Sequence, residues 1–168
     1  MLILGIDPGT AIVGYGLIEA RNAGPLQAFA YGCIRTPAGE KASRRLVMIY
    51  DHLQEIIENY HPDIMAIEEL FFNKNSRTAL AVGQARGVAL LAAAHAGLPV
   101  AEYTPLEVKQ AVTGYGRAPK EQVQRMVQTL LGLKSRPEPD DVADALAVAI
   151  CHASIAPWRR REAGVLQQ

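Results

Sequence analysis

The chain has 168 residues, of which 49% are hydrophobic and 20% are charged, and its 17 basic side chains match its 17 acidic ones. This composition is typical of a folded domain with a substantial core and excludes a disordered chain. No apolar run reaches the ~20 residues of a membrane span, and the N-terminus lacks the basic start of a signal peptide. Cys33 and Cys151 lie far apart in apolar stretches, which favours free thiols. We therefore expect a cytoplasmic protein with one domain at residues 1–156 and a flexible tail at residues 157–168.

The first part of the chain predicts a three-stranded antiparallel meander. Residues 2–6 form an apolar run that ends at an Asp-Pro-Gly turn, a pattern typical of a buried strand. Residues 13–18 and 27–35 predict the second and third strands, and a Pro-Ala-Gly turn ends the meander.

The rest of the chain alternates helices with short strands. Apolar residues at three- and four-residue steps predict a helix over residues 42–60, and a buried strand follows at 64–67. The other predicted elements are a helix over 76–96, a strand over 100–103 and helices over 105–112, 119–131 and 139–153. This order predicts an α/β fold with a mixed five-stranded sheet and helices on both faces, which is the layout of the ribonuclease H-like fold.

Four acidic residues stand where these elements predict a crevice. Asp7 ends the first strand and Glu68 ends the fourth, and the carboxyl ends of strands are the usual active-site edge of an α/β sheet. Asp141 and Asp144 are three residues apart in the first turn of the last helix, so they share a face. Taken singly, each has an ordinary alternative as a turn residue, an exposed edge acid or a partner of the helix dipole.

Together, the four carboxylates predict a divalent cation site. Hard oxygen ligands from three elements suit Mg²⁺ or Mn²⁺, and the chain has no His or Cys set suited to zinc. Massed carboxylates repel one another unless cations lie between them, and two ions about 3.5–4 Å apart can clamp both oxygens of a phosphodiester displacement. Asp140, beside the pair, is a better candidate for capping the helix.

Basic residues are concentrated in one part of the chain. Between residues 70 and 136, nine Lys and Arg side chains accompany three acidic ones, so this part carries a net charge of +6 and the remainder −6. A basic region beside a metal site suits a polyanionic substrate, although solvated helix faces also carry such charge.

Five motifs resemble, in chain order, those of the RuvC family of crossover junction endodeoxyribonucleases. They are GIDPGT with GYG, AIEELFFNKN, QARG, VKQAVTGYGRAPKEQV and DDVADALAVAICH, and they extend from residue 1 to about residue 153. The resemblance implies that Asp7, Glu68, Asp141 and Asp144 are catalytic and hold two Mg²⁺ ions, with Mn²⁺ as a substitute. In the family the position of Asp141 varies between Asp and His. It also implies that metal-activated water attacks phosphorus, leaving a 5′-phosphate and a 3′-hydroxyl.

The same resemblance implies how DNA is bound. Phe71 matches a base-contacting Phe of the family, and Lys109 and Lys120 match lysines that contact phosphate near the cut. Arg77 and Arg86 are further candidates for DNA binding, with exposed surface charge as the alternative. The family acts as a homodimer that nicks opposing strands of a four-way (Holliday) junction symmetrically in recombination and repair, and it suggests a RuvA–RuvB branch-migration complex as partner. The small residues of the helix over 76–96 suit either a dimer contact or packing on the sheet.

Three other functions fit parts of the pattern. GIDPGT is similar to the first phosphate motif of actin-like proteins and sugar kinases, but those proteins enclose ATP between two such domains. An RNA nuclease of the same fold would have the same metal site. A non-catalytic junction-binding protein would not need all four acids. The loop with Phe71 and the basic stretch over 109–120 favour the junction nuclease, whereas tight ATP binding without cleavage would favour a kinase-like protein.

Overall fold

The computed structural model describes residues 1–21, 24–69 and 76–165, and within the last segment the side chains of residues 79–156. The strands are β1 (Leu2–Asp7), β2 (Ile12–Glu19), β3 (Gln27–Arg35), β4 (Ile64–Glu68) and β5 (Val100–Tyr103). The helices are α1 (Ala42–Tyr60), α2 (Ser76–His95), α3 (Pro105–Thr113), α4 (Lys120–Leu130) and α5 (Asp140–Val165). None of these helices is both long and apolar enough to cross a membrane.

The five strands form one mixed sheet in the order β3-β2-β1-β4-β5. The meander pairs antiparallel, whereas β4 lies parallel to both β1 and β5. The parallel pairing with β1 runs as far as Ile6 opposite Ile67, so Asp7 and Glu68 follow at the same edge of the sheet. The predicted α/β fold and its mixed five-stranded sheet are confirmed.

Helices cover both faces of the sheet, as their apolar stripes require. On one face α1 and α2 pack over a cluster that includes Leu4, Leu17 and Met65, and on the other α3, α4 and α5 pack over a cluster that includes Ile3 and Ile18. Side chains alternate along a strand, so Asp7 and Glu68 share the face of Ile3 and Ala66, towards α5.

Helix α5 lies unusually close to the sheet because glycines leave room for its backbone. A Cβ atom at Gly14 would lie 1.9 Å from the carbonyl oxygen of Asp141, and one at Gly5 would lie 2.0 Å from that of Ala145. Any side chain at either position would therefore push the helix away. This close approach sets the N-terminal turn of α5 beside the end of β1.

One helix differs in length from its prediction. The sequence predicts that the last helix ends near Ala153, but α5 continues to Val165. The residues beyond 157 include Arg, Glu and Ala, which favour helix even where an apolar stripe is lacking. The flexibility of residues 157–168 stays a prediction. Cys33 and Cys151 form no disulfide, as expected.

Candidate active site

The structure brings the four predicted carboxylates to one edge of the sheet. Asp7 and Glu68 end the neighbouring parallel strands β1 and β4, and both point towards α5. Asp7 lies opposite Gly14 in the β1–β2 ladder, and Gly14 is the residue against which the backbone of Asp141 packs. One turn of α5 thus presents Asp141 and Asp144 to the strand ends.

Burial and mutual repulsion raise the pKa values of three of these acids, Asp7, Glu68 and Asp144. Burial is the main cause that raises the pKa of Asp7 from 3.8 to about 7, and the negative charges of the other three carboxylates raise it further. The pKa of Glu68 also rises to about 7, first through burial and then through repulsion by Asp144. The site therefore disfavours several ionised carboxylates at once unless positive charge enters it.

Lys120 supplies part of that positive charge. Its Nζ lies 2.9 Å from Oδ2 of Asp144 and 3.4 Å from Oδ2 of Asp140. Burial still raises the pKa of Asp144 above its ordinary value, although the hydrogen bond from Lys120 opposes the shift. For Lys120, partial burial lowers the pKa, but the hydrogen bonds to Asp144 and Asp140 and the negative charges of both acids together outweigh it, so the pKa rises. We conclude that Lys120 is the internal counter-ion of the carboxylate cluster.

The donor set fits a divalent cation in chemistry and charge. Carboxylate oxygens are the ligands that Mg²⁺ prefers, and a cation would relieve the repulsion that raises the pKa values of Asp7 and Glu68. As the side chains stand, no three Asp, Glu, His or Cys groups in the described part of the chain converge tightly enough to hold one ion. Ion binding would therefore require the carboxylates to draw together, with Asp144 exchanging its bond to Lys120.

A cleft opens beside the carboxylates and contains both predicted lysines. Glu68, Asp144, Lys109 and Lys120 line it together with apolar groups of α3, α4 and α5. Lys109 is half-buried on α3, whose start is fixed by a capping box in which Thr104 Oγ1 accepts from the amide of Glu107 at 3.2 Å. Lys120 is the first residue of α4, where backbone amides also favour phosphate. The positive charges therefore lie where a phosphate could reach the acids.

The other predicted DNA-binding residues are placed differently. Phe71 and the side chain of Arg77 lie outside the described residues. Arg86 is described, and its guanidinium is engaged within the protein: Nε donates to the backbone oxygen of Glu68 at 3.2 Å, and Nη2 pairs with the carboxylate of Glu102.

Sequence reasoning missed two supporting residues. Asp140 was interpreted as a cap, but its Oδ1 accepts a hydrogen bond of 2.8 Å from Nε2 of Gln124, and its other oxygen faces Lys120. Gln124 is a buried polar residue four positions after Lys120, so both lie on one face of α4. The four-residue spacing of Lys120 and Gln124 is the signal that the sequence offers for a shared polar face. It does not indicate which acidic residue that face contacts.

Comparison with known proteins shows the family to which the chain belongs. A sequence profile described as crossover junction endodeoxyribonuclease RuvC matches residues 3–152. The crossover junction endodeoxyribonuclease RuvC of Moorella thermoacetica is 77% identical over 162 residues, which cover 96% of each chain. The structure of T. thermophilus RuvC in complex with a Holliday junction substrate has a TM-score of 0.89 and 39% identity, covering 95% of this chain and 96% of that one.

A more distant structure shares the fold alone. The yeast mitochondrial Holliday junction resolvase has a TM-score of 0.67 at 12% identity, covering 99% of this chain and 85% of that one. The residues matched by the RuvC sequence profile, 3–152, contain every candidate carboxylate and both cleft lysines.

Proposed function

Because this chain belongs to the RuvC family of crossover junction endodeoxyribonucleases, we propose that it resolves four-way (Holliday) DNA junctions in recombination and repair by symmetric nicks in two opposing strands. One observation carries this proposal most directly. Glu68 and Asp144, two of the four carboxylates and both with raised pKa values, line one cleft with Lys109 and Lys120. That combination suits hydrolysis of a polyanionic backbone.

The four carboxylates form the metal site of this proposal. Asp7, Glu68, Asp141 and Asp144 would hold two Mg²⁺ ions, or Mn²⁺ in their place, which activate water and stabilise charge on the phosphate. Bound cations would offset the electrostatic cost of bringing the acids together, which Lys120 offsets only in part. Water attacks the phosphorus, and the bond between phosphorus and the 3′ oxygen breaks. The products are therefore a 5′-phosphate and a 3′-hydroxyl.

The lysines of the cleft hold the scissile strand. Lys109 lowers the pKa of Glu68 through its charge, so it lies close enough to act on a group bound there. The side chain of Lys120 is 53% exposed, which leaves it free to turn from Asp144 to a backbone phosphate. By resemblance, Phe71 stacks on an unpaired base, and Arg77 is a further candidate for contact with the DNA backbone because of its charge.

A homodimer would place two such sites on the two opposing strands. Leu80, Gln84, Gly87 and Leu91 are exposed on α2 at steps of four, three and four, so they form one stripe. Leu80 and Leu91 are 66% and 48% exposed, and a Cβ at Gly87 would meet no atom within 4 Å. A stripe with two exposed leucines and a glycine near its centre is suited to close approach by the same helix of a second copy. A RuvA–RuvB complex as further partner is proposed on the family resemblance.

Substrate selectivity tests this function. Purified protein with Mg²⁺ is incubated with a synthetic four-way junction, with the matching linear duplex and with an RNA–DNA hybrid of the same sequence. We expect cleavage of the junction at a rate far above that of the other two. Comparable cleavage of the duplex would contradict junction selectivity, and preferential cleavage of the hybrid would favour the RNA nuclease.

A further inference from the structure

We infer that Arg86 is a positioning residue for Glu68, locked in place by Glu102, and is not a DNA contact. This inference rests on the proposed function in one respect, since junction cleavage is one of its readouts. Its basis is the pair of contacts that the guanidinium makes between three elements: α2, which carries Arg86, and the neighbouring strands β4 and β5.

The first contact fixes the backbone of Glu68. The β1–β4 ladder ends at Ile67, one residue before Glu68, and Glu68 itself pairs with Tyr103 of β5. On the β5 side, the amide of Glu69 donates to the oxygen of Tyr103 at 2.8 Å. Nε of Arg86 donates to the carbonyl oxygen of Glu68 at 3.2 Å and so holds the end of β4 where its pairing with β1 has stopped.

The second contact fixes Arg86 itself. Glu102 pairs with Ile67 in the β4–β5 register, so it lies beside the strand end that Arg86 holds. Its carboxylate binds Nη2 of Arg86, which orients the guanidinium plane so that Nε faces Glu68. Arginine is suited to this role because its planar fork donates in two fixed directions, whereas a lysine ammonium has no such geometry.

Burial and charge argue against phosphate binding by Arg86. Its side chain is only 17% exposed, compared with 53% for Lys120 in the cleft. Its charge is already balanced by Glu102. A phosphate bound at Arg86 would compete with Glu102 for its positive charge and so weaken the contact that orients the guanidinium towards Glu68.

The two roles predict opposite effects of neutralising Glu102. If Arg86 bound phosphate, Glu102→Gln would free a cation and tighten junction binding. If Arg86 positions Glu68, the same change loosens the guanidinium, and cleavage slows with no gain in affinity. Glu102 is 45% exposed on β5, so its replacement by glutamine leaves the core intact.

The experiment compares four variants: Arg86→Gln, Arg86→Lys, Glu102→Gln and the double variant Arg86→Gln with Glu102→Gln. Junction affinity is measured in EDTA at several salt concentrations, and the single-turnover cleavage rate is measured with Mg²⁺. We expect Arg86→Gln to slow cleavage roughly 10- to 100-fold, as is usual for residues that orient a metal ligand. Its junction affinity and salt dependence should match the wild type. The cleavage rate of Arg86→Lys should lie between those of the wild type and Arg86→Gln. The double variant should cleave no more slowly than Arg86→Gln because Arg86 and Glu102 act as one unit.

Arg125→Gln is the matched control for loss of one positive charge, since Arg125 is exposed on α4. Weaker junction binding with a reduced salt dependence in Arg86→Gln, or tighter binding in Glu102→Gln, would overturn the inference. So would additive rate effects in the double variant, or full activity of Arg86→Gln. Failure of the wild type to cut junctions would overturn the proposed function and this inference with it, whereas an active wild type with equally active Arg86 variants would overturn the inference alone.

Discussion

Lys120 and Asp144 form an ion pair of 2.9 Å within the cleft that also contains Glu68. The pair brings a positive charge into a group of carboxylates that otherwise resist ionisation, and it joins the first turn of α4 to the second turn of α5. The same lysine can therefore serve the protein without metal as a counter-ion and the proposed reaction as a phosphate ligand.

Neutralising Lys120 tests this double role. We expect Lys120→Gln to slow junction cleavage roughly 100-fold, the usual cost of removing one preorganised donor at a reacting phosphate. Junction binding should become slightly less dependent on salt, because one phosphate contact is lost. Lys134→Gln is the control, since Lys134 is an exposed lysine of the same basic region. Equal cleavage rates for the two variants would remove Lys120 from the reaction.

The raised pKa of Asp7 predicts a pH-dependent stability in the absence of divalent ions. The folded protein holds a proton on Asp7 up to pH about 7, whereas the unfolded chain releases it near pH 3.8. The contribution of Asp7 to stability is therefore fully present below about pH 4 and is lost as the pH rises through 7. Asp7→Asn removes the cost of ionisation and should be about 1–3 kcal/mol more stable than the wild type at pH 8, with little difference at pH 4.

Urea unfolding in EDTA at these two pH values measures the difference. Asp51→Asn, a change at an exposed position of α1, is the matched control and should leave the stability of the protein unaltered at both. If the wild type is as stable as Asp7→Asn at pH 8, ionisation of Asp7 has no cost in the folded protein, which would contradict this prediction.

Gly14→Ala tests the close packing that positions α5. The added methyl carbon would lie 1.9 Å from the carbonyl oxygen of Asp141, so the helix must shift. We expect a loss of about 1–3 kcal/mol or more in unfolding free energy and a loss of cleavage in the protein that remains folded. Gly39→Ala, where no atom lies within 4 Å of the added carbon, should behave like the wild type. A fully active Gly14→Ala would mean that the position of Asp141 does not depend on this contact.

Charge on the exposed stripe of α2 tests the proposed dimer. Gly87→Glu places a carboxylate at the centre of the stripe without a clash in the single subunit, because nothing lies within 4 Å of its Cβ. Light scattering at micromolar concentration should give a dimer mass for the wild type and a monomer mass for Gly87→Glu, with Gly87→Ala as the conservative control. A wild type of monomer mass would contradict the dimer.

Much of the fold follows from local patterns in the sequence. The apolar run before Asp7 and the 3.6-residue stripe of α1 give β1 and α1 nearly residue by residue, because burial alone explains both patterns. The acids at the strand ends and the pair on α5 were predicted for the same reason: their positions relative to an element are local. The end of α5 was not predicted, because helix propensity without an apolar stripe gives no periodic signal.

The contacts that bind distant elements together could not be predicted. The approach of α5 to Gly14 joins residues 127 positions apart, and a glycine in a strand does not indicate what packs on it. The sequence predicts Arg86 as a DNA-binding candidate because no sequence feature distinguishes an arginine that binds phosphate from one that makes contacts within the protein. Its contacts with Glu68 and Glu102 become visible only in the folded structure.

Mapping of the cuts on all four strands of a synthetic Holliday junction tests the central claim most directly. With Mg²⁺ we expect the wild type to nick two opposing strands at symmetric positions, each nick leaving a 5′-phosphate that ligase can seal. Asp7→Asn should bind the same junction and leave all four strands intact. Cuts at unrelated positions on the strands, or cuts by Asp7→Asn at the wild-type rate, would contradict the account.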